Sequence, residues 1–285
     1  MYILYMKYYL KLLGGLIVIS LLIPTVFYVS LQVWGNWHDE WSGYNASQYI
    51  SDGYCNIAVV PVMGDITSYG TAVDEYGDEL VSTTMGDTLS LLGMTEYDPY
   101  IAGVLVLVDS PGGEAVASEA IANALKNSSM PVASYIVEIG ASAGYLVATG
   151  ADTIIASPFS DVGSIGVTMS YLDNTQQNEA DGLEFVSLSS AKFKDSGTPD
   201  KPLTSEERTL FERDLKIYHD EFVKQVAENR DMSLDDVTAL ADGSTMPGKL
   251  ALESGLIDAL GTKETVREWF AEQLNIASEE VVFCQ

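Results

Sequence analysis

Ala102–Asp109, AGVLVLVD, is apolar at every position but the last. A strand with one wet face alternates apolar and polar residues, so an unbroken apolar run ending at a turn predicts a strand covered on both faces. The next residues, Ser110-Pro111-Gly112-Gly113, are turn formers. Glu114–Lys126 then carries Ala117, Ala120, Ile121, Ala124 and Leu125 at helical spacing. Strand, glycine turn and helix in this order predict an α/β domain with crossover connections.

The same alternation continues on both sides. Asn56–Val62, Val132–Glu138, Thr153–Ala156, Ile165–Tyr171 and Leu183–Leu188 read as further strands, and a short helix begins near Ser142. Gly64 to Gly86 is rich in Gly, Asp and Thr without periodicity, which predicts a loop or lid near a site. Beyond Lys201 the chain turns helical. Thr204 and Glu207 make a capping box, and Phe211, Leu215, Tyr218, Phe222 and Val226 make an apolar stripe.

No residue from Leu12 to Trp37 is charged, a stretch long enough to cross about 30 Å of hydrocarbon as a helix. Tyr8, Tyr9, Trp34 and Trp37 flank it like an interfacial belt; Lys7 and Lys11 precede it, and Asp39 and Glu40 follow. That asymmetry predicts a single-pass anchor in the cell membrane, N-terminus cytoplasmic and the remainder extracytoplasmic. The run is too long for a cleavable signal peptide and lacks an A-x-A-like site. The expected organisation is 1–37 for the cytoplasmic stub and transmembrane anchor, 38–54 for a polar linker, 55–275 for the main domain and 276–285 for a tail.

A net charge of −27, from 14 Lys and Arg against 41 Asp and Glu, argues against a nucleic-acid partner, which phosphate binding would mark with clustered cations. Two cysteines and two histidines, scattered, match no metal-ligand spacing. Cys55 and Cys284 read as two unpaired or buried thiols. A disulfide between them is also open to a chain outside the cytoplasm.

Three stretches carry candidate chemistry. At Asp109–Gly113 two glycines before a helix N-terminus let backbone N–H groups meet a developing negative oxygen. At Gly140-Ala141-Ser142-Ala143-Gly144 a serine stands between strand and helix among small neighbours, a form that can expose its hydroxyl as a nucleophile. Such a serine needs a base. His38 adjoins the apolar span, and His219 falls off the helical stripe, so neither histidine suits. Ser189–Asp195 holds two lysines, Lys192 and Lys194, and a lysine serves as base once desolvation has cost it its proton.

These stretches, in this order, resemble the signal-peptide peptidase A family, also called the protease IV family. The resemblance runs from about Asn56 to Trp269 through IAVVPVMGDI, VLVLVDSPGG, GASAGYLVATGADTIIASP, VGSIGV and KFKD, then Phe222, Val226 and Arg230, and ESGLID at Glu253–Asp258. It implies a Clp protease/crotonase-like fold of repeated β-β-α units with a helical C-terminal part, here behind one transmembrane helix. It implies a Ser-Lys dyad without cofactor or metal. Ser142 would be the nucleophile, and Lys194, which directly precedes Asp195, its base. Gly113 and Ala143 would supply the oxyanion hole, with Gly112 and Ser164 where peptide binds. Ala143 stands where the family more often has glycine, which is harmless only if φ is negative there. The resemblance is to the short, single-lobe form, whose serine and lysine come from neighbouring protomers. It therefore implies a homo-oligomeric ring whose substrates are cleaved signal peptides or other apolar peptides. Two alternatives share this fold: a catalytically inactive peptide-binding scaffold and a crotonase-like acyl-CoA enzyme.

Overall fold

A computed structural model of the chain describes residues 50–74 and 76–284. The anchor expected over 1–37 and most of the linker expected over 38–54 lie outside the described residues. Among the described residues no helix is long and apolar enough to cross a membrane.

The centre of the domain is an eight-stranded sheet. Strands β1 (Ile57–Thr67), β3 (Gly103–Gly113), β4 (Val132–Ala141) and β5 (Thr153–Ala156) form its parallel core. Short β2 (Ser82–Thr84) adds beside β1, and β8 (Ala259–Leu260) beside β5, both parallel. The far half of β4 takes a different neighbour, β6 (Asp161–Gly163), which pairs antiparallel with β7 (Thr245–Pro247). The result is a mixed α/β fold on a mainly parallel sheet.

AGVLVLVD lies at the middle of that sheet. Val104, Val106 and Val108 are fully buried against α2 (Ala115–Lys126), α3 (Ala143–Ala148) and α5 (Ser205–Arg230). Leu105 points the other way, into a second cluster with Phe270 and Val266 of α8 (Lys263–Leu274). Both faces are covered, which is why the sequence shows no alternation there. α1 (Met85–Tyr97) packs on the first cluster through Leu92. Two short helices, α6 (Leu234–Leu240) and α7 (Gly248–Glu253), complete that layer.

Three expectations change. The first strand does not stop at Val62: a bulge at Gly64, with φ +62°, carries it on to Thr67. The segment expected as loop from Gly64 to Gly86 thus begins in β1 and ends in β2 and the start of α1, with a loop over 68–74 and 76–81 among the described residues. A side chain at Gly64 would run into the carbonyl of Val81, 1.8 Å from an added Cβ. Ile165–Tyr171 and Leu183–Leu188 are not strands. They flank a short helix, α4 (Thr175–Ala180), and no sheet edge reaches them. Ile165 is buried, but beyond it their apolar residues lie in the open: Met169, Tyr171, Leu183, Phe185, Val186 and Leu188 are all exposed. Lastly, Cys55 and Cys284 are joined in a disulfide. Val282–Cys284 runs along the start of β1: Phe283 bridges Ile57, and the Cys284 N–H donates to the Ile57 carbonyl at 2.8 Å.

The capping box of α5 forms as read. Thr204 Oγ1 accepts from the Glu207 N–H, and the Glu207 carboxylate accepts from the Thr204 N–H at 2.9 Å. The Lys201 ammonium also bonds Glu207, at 2.5 Å. The lysine first, then the Thr204 backbone, hold the Glu207 carboxyl down at about 2. A folded value below the unfolded carboxylate value of about 4.3 contributes stability that is present above the latter and lost as pH falls through the former. Acid titration of thermal stability should therefore drop between pH ~4.3 and ~2, and Glu207→Gln should flatten that drop. An unchanged profile in the variant would contradict this account. The apolar stripe of α5 is buried only at Phe222 and Val226, whereas Phe211 and Leu215 are half-buried and Tyr218 is exposed.

Candidate active site

The site is built where β3 and β4 end. β4 delivers Ser142 at the start of α3. The Ser142 N–H donates to the Gly163 carbonyl of β6 at 2.8 Å. Ser142 has φ 52° and ψ −122°, a region costly for a residue with a side chain, on the order of 1–3 kcal/mol. Small neighbours make the turn feasible. An added Cβ at Gly144 would lie 2.8 Å from the Ser110 carbonyl, and one at Gly140 would meet Ile136 at 2.7 Å.

β3 delivers Gly112 and Gly113, with φ of 127° and 150°. Ser110 braces this end of β3, where the sequence reads as a turn: its hydroxyl donates to the Gly64 carbonyl at 2.6 Å and accepts the Gly112 N–H at 3.1 Å. A Cβ on Gly112 would stand 3.2 Å from Ser142 Oγ and 3.3 Å from the Ala143 nitrogen. A Cβ on Gly113 would strike the Ile66 carbonyl at 2.1 Å. Glycine is required at both positions, on steric and on dihedral grounds. Ala143 opens α3 and is not among the residues with positive φ, so alanine is unstrained there.

The support behind the serine comes from distant parts of the chain. Buried Tyr145 donates its phenol to the Leu256 carbonyl at 2.8 Å, and burial pushes that phenol up. Arg230, at the end of α5, makes two bonds to Asp258, at 2.9 and 2.7 Å. Asp258 in turn accepts the Ile154 N–H of β5. ESGLID therefore has a structural reading: its turn braces α3 and ties α5 to the sheet.

A cavity of about 330 Å³ opens at Ser142. Gly113 and Ala143 line it with the serine, as do Val116, Leu146 and Phe222. Thus Gly112, Gly113, Ser142 and Ala143 come together. Ser164, at φ 51°, sends its hydroxyl to the Gly243 carbonyl at 3.0 Å, and it is Gly166, Val167 and Thr168 just beyond it that reach the cavity. Lys194 does not line the cavity. It is exposed, in a turn where its N–H donates to the Ala191 carbonyl, and it forms no ion pair among the described residues. The neighbouring lysines are engaged: Lys192 with Glu206 at 2.6 Å, Lys201 with Glu207 and Asp195. His219 is occupied too, its Nε2 lying 3.1 Å from the Ala241 carbonyl oxygen. The α5 contribution to the cavity, Tyr218, Glu221, Phe222 and Gln225, was not foreseen as site-forming. In the sequence these residues read only as part of an amphipathic helix.

Comparisons with known proteins bear on this arrangement. The model of peptidase family S49 matches residues 124–277. A Methanocaldococcus jannaschii protein described as a protease is 35% identical over 196 residues, covering 68% of this chain and 63% of its own. An Enterococcus faecium protein described as signal peptide peptidase SppA is 30% identical over 197 residues, covering 68% of this chain and 57% of its own. In both, the match spans less than two thirds of the relative. Among solved structures, a mutant of the 1510-N membrane-bound stomatin-specific protease superposes with a TM-score of 0.51 at 18% identity, over 75% of this chain and 84% of that one. At that identity the likeness concerns the fold.

Proposed function

Since the chain belongs to peptidase family S49, the family of signal peptide peptidase A, we propose that it is a serine endopeptidase in which Ser142 attacks the peptide carbonyl and Lys194 of a neighbouring copy is the base. The observation that carries this reading is the positive-φ serine at the head of α3 with two obligatory glycines packed against it. Neutral Lys194 takes the hydroxyl proton as Ser142 Oγ bonds to the carbonyl carbon. The Gly113 and Ala143 N–H groups hold the resulting oxyanion. The lysinium then protonates the leaving amine as the C–N bond breaks. Water, deprotonated by the same lysine, releases the acyl group.

Two observations favour a lysine from another copy. Lys194 is exposed and away from the cavity in its own chain, yet a base lysine needs dry surroundings. The segment leading to it, from Met169 to Leu188, presents apolar side chains with nothing over them in one chain. A second copy laid on that segment would cover both, and repetition of such a head-to-tail contact gives a ring when its rotation closes. The disulfide supports an extracytoplasmic location, because such bonds persist in oxidising compartments. Together with the membrane anchor read from residues 1–37, this supports substrates among peptides at the membrane surface, cleaved signal peptides included.

The test is covalent labelling of the serine, in which Oγ displaces the leaving group from the phosphorus of a probe. A serine-directed phosphonate probe should label the assembled wild type at Ser142, and Lys194→Ala should lower the labelling rate by about 10³-fold or more. A folded, assembled wild type that takes no label at Ser142 would favour a peptide-binding scaffold instead.

A further inference from the structure

The cavity beside Ser142 is lined by the apolar side chains of Val116, Leu146 and Phe222 among others. Two acidic residues, Glu119 of α2 and Glu221 of α5, also line it. The two are not equivalent. Glu221 has a cation of its own, Lys224, whose Nζ lies 3.2 Å from Glu221 Oε1. The hydrogen bond that Glu119 receives comes from a neutral group: Gln225 Nε2 donates to Glu119 Oε1 at 3.0 Å. No other hydrogen bond and no ion pair reaches Glu119 among the described residues. Lys224 faces Glu221, Glu228 and Glu119 together, one cation against three carboxylates. Gln225 thus holds the Glu119 carboxylate, one shared cation leaves the group short of positive charge, and Glu119 Oε2 accepts no hydrogen bond among the described residues.

We propose that Glu119 makes this cavity selective for a lysine or arginine side chain on the residue whose carbonyl Ser142 attacks. The proposal rests on the peptidase reading above and adds the substrate class to it. A long basic side chain fits both parts of the cavity: its methylenes lie along Val116, Leu146 and Phe222, and its cation meets Glu119. Gly113 and Ala143, which line the same cavity, fix the register, because the residue whose carbonyl they hold is the one whose side chain enters. An acidic side chain would meet like charge in a partly desolvated place and be rejected. A methionine would keep the apolar contacts and lose the charged hydrogen bond.

Four internally quenched peptides, identical but for Lys, Arg, Met or Glu at one central position, separate these terms, with the cleaved bond located by mass spectrometry. The full-length protein in detergent should cleave after Lys and Arg with kcat/KM about tenfold above Met, and after Glu hardly at all. Glu119→Gln should bring Lys down to the level of Met while the Met peptide changes little. Glu253→Gln, the same charge change on exposed α7, should leave the ratio of Lys to Met as in the wild type. Equal cleavage after Lys and Met by the wild type overturns the proposal while leaving the peptidase reading intact. So does a Lys-to-Met ratio that survives Glu119→Gln. Failure to cleave any peptide of the series overturns the peptidase reading, and this proposal with it.

Discussion

A Ser142→Ala chain and a Lys194→Ala chain should each lose at least about 10⁴-fold in turnover, because nucleophile and base act as one unit. Assembled together, they should regain activity at about one site in four, since a random pairing of neighbours places an intact serine against an intact lysine that often. Neither chain alone contains both groups, so recovery requires a site built from two copies. The geometry motivates this directly: Ser142 sits in a cavity that Lys194 of the same chain does not line, while Lys192 and Lys201 are held by carboxylates. Peptide turnover would be measured after co-expression, with mixed assembly verified by two different affinity tags. Verified mixed assemblies without turnover would place the base within the same chain. Dilution to dispersed monomers should abolish wild-type activity as well.

The parts of the site that were legible are those written in contiguous residues. The apolar run of β3 and the serine flanked by small residues each state a local conformation and fold as read, whereas Ser110–Gly113, read as a turn, continues β3 up to the helix. The capping box at Thr204 and Glu207 is of the same kind. The misread segments, Ile165–Tyr171 and Leu183–Leu188, have the composition of strands but no sheet edge to pair with. Strand propensity reports a surface that needs covering and is silent on what covers it. The cavity wall from α5 was illegible for a different reason. Phe222 and Gln225 meet Ser142 across 80 or so positions of sequence, and only the fold brings them together.

Reduction of the Cys55–Cys284 bond should be the largest single loss of stability available to the domain. The bond closes a loop of 229 residues, for which chain-entropy arguments give about 5 kcal/mol. For a domain of this size that corresponds to roughly 10–20 °C in Tm. The backbone bonds from Val282–Cys284 to Asn56 and Ile57 cannot replace it, because freed of the staple they hold only a short terminal strand to one end of β1. Thermal unfolding with and without a strong reductant, and of the Cys55→Ser/Cys284→Ser double variant, tests this. Two titratable thiols in the oxidised, denatured protein would exclude the bond. Equal melting of reduced and oxidised protein would deny it the role.

The pairing of residues 282–284 with residues 55–57 also fixes the order of events during biosynthesis. A nascent chain can build β1, β3 and β4 in the sequence they emerge, but the start of β1 keeps an open edge until residues 282–284 arrive. Completion of the sheet is therefore a late act, possible only after the last of these residues has left the ribosome and, for a translocated chain, crossed the membrane. Ser142 can be in place well before then. The domain is sealed only when its two ends meet, and truncation of the last few residues should be felt throughout the folding of a chain that is otherwise whole.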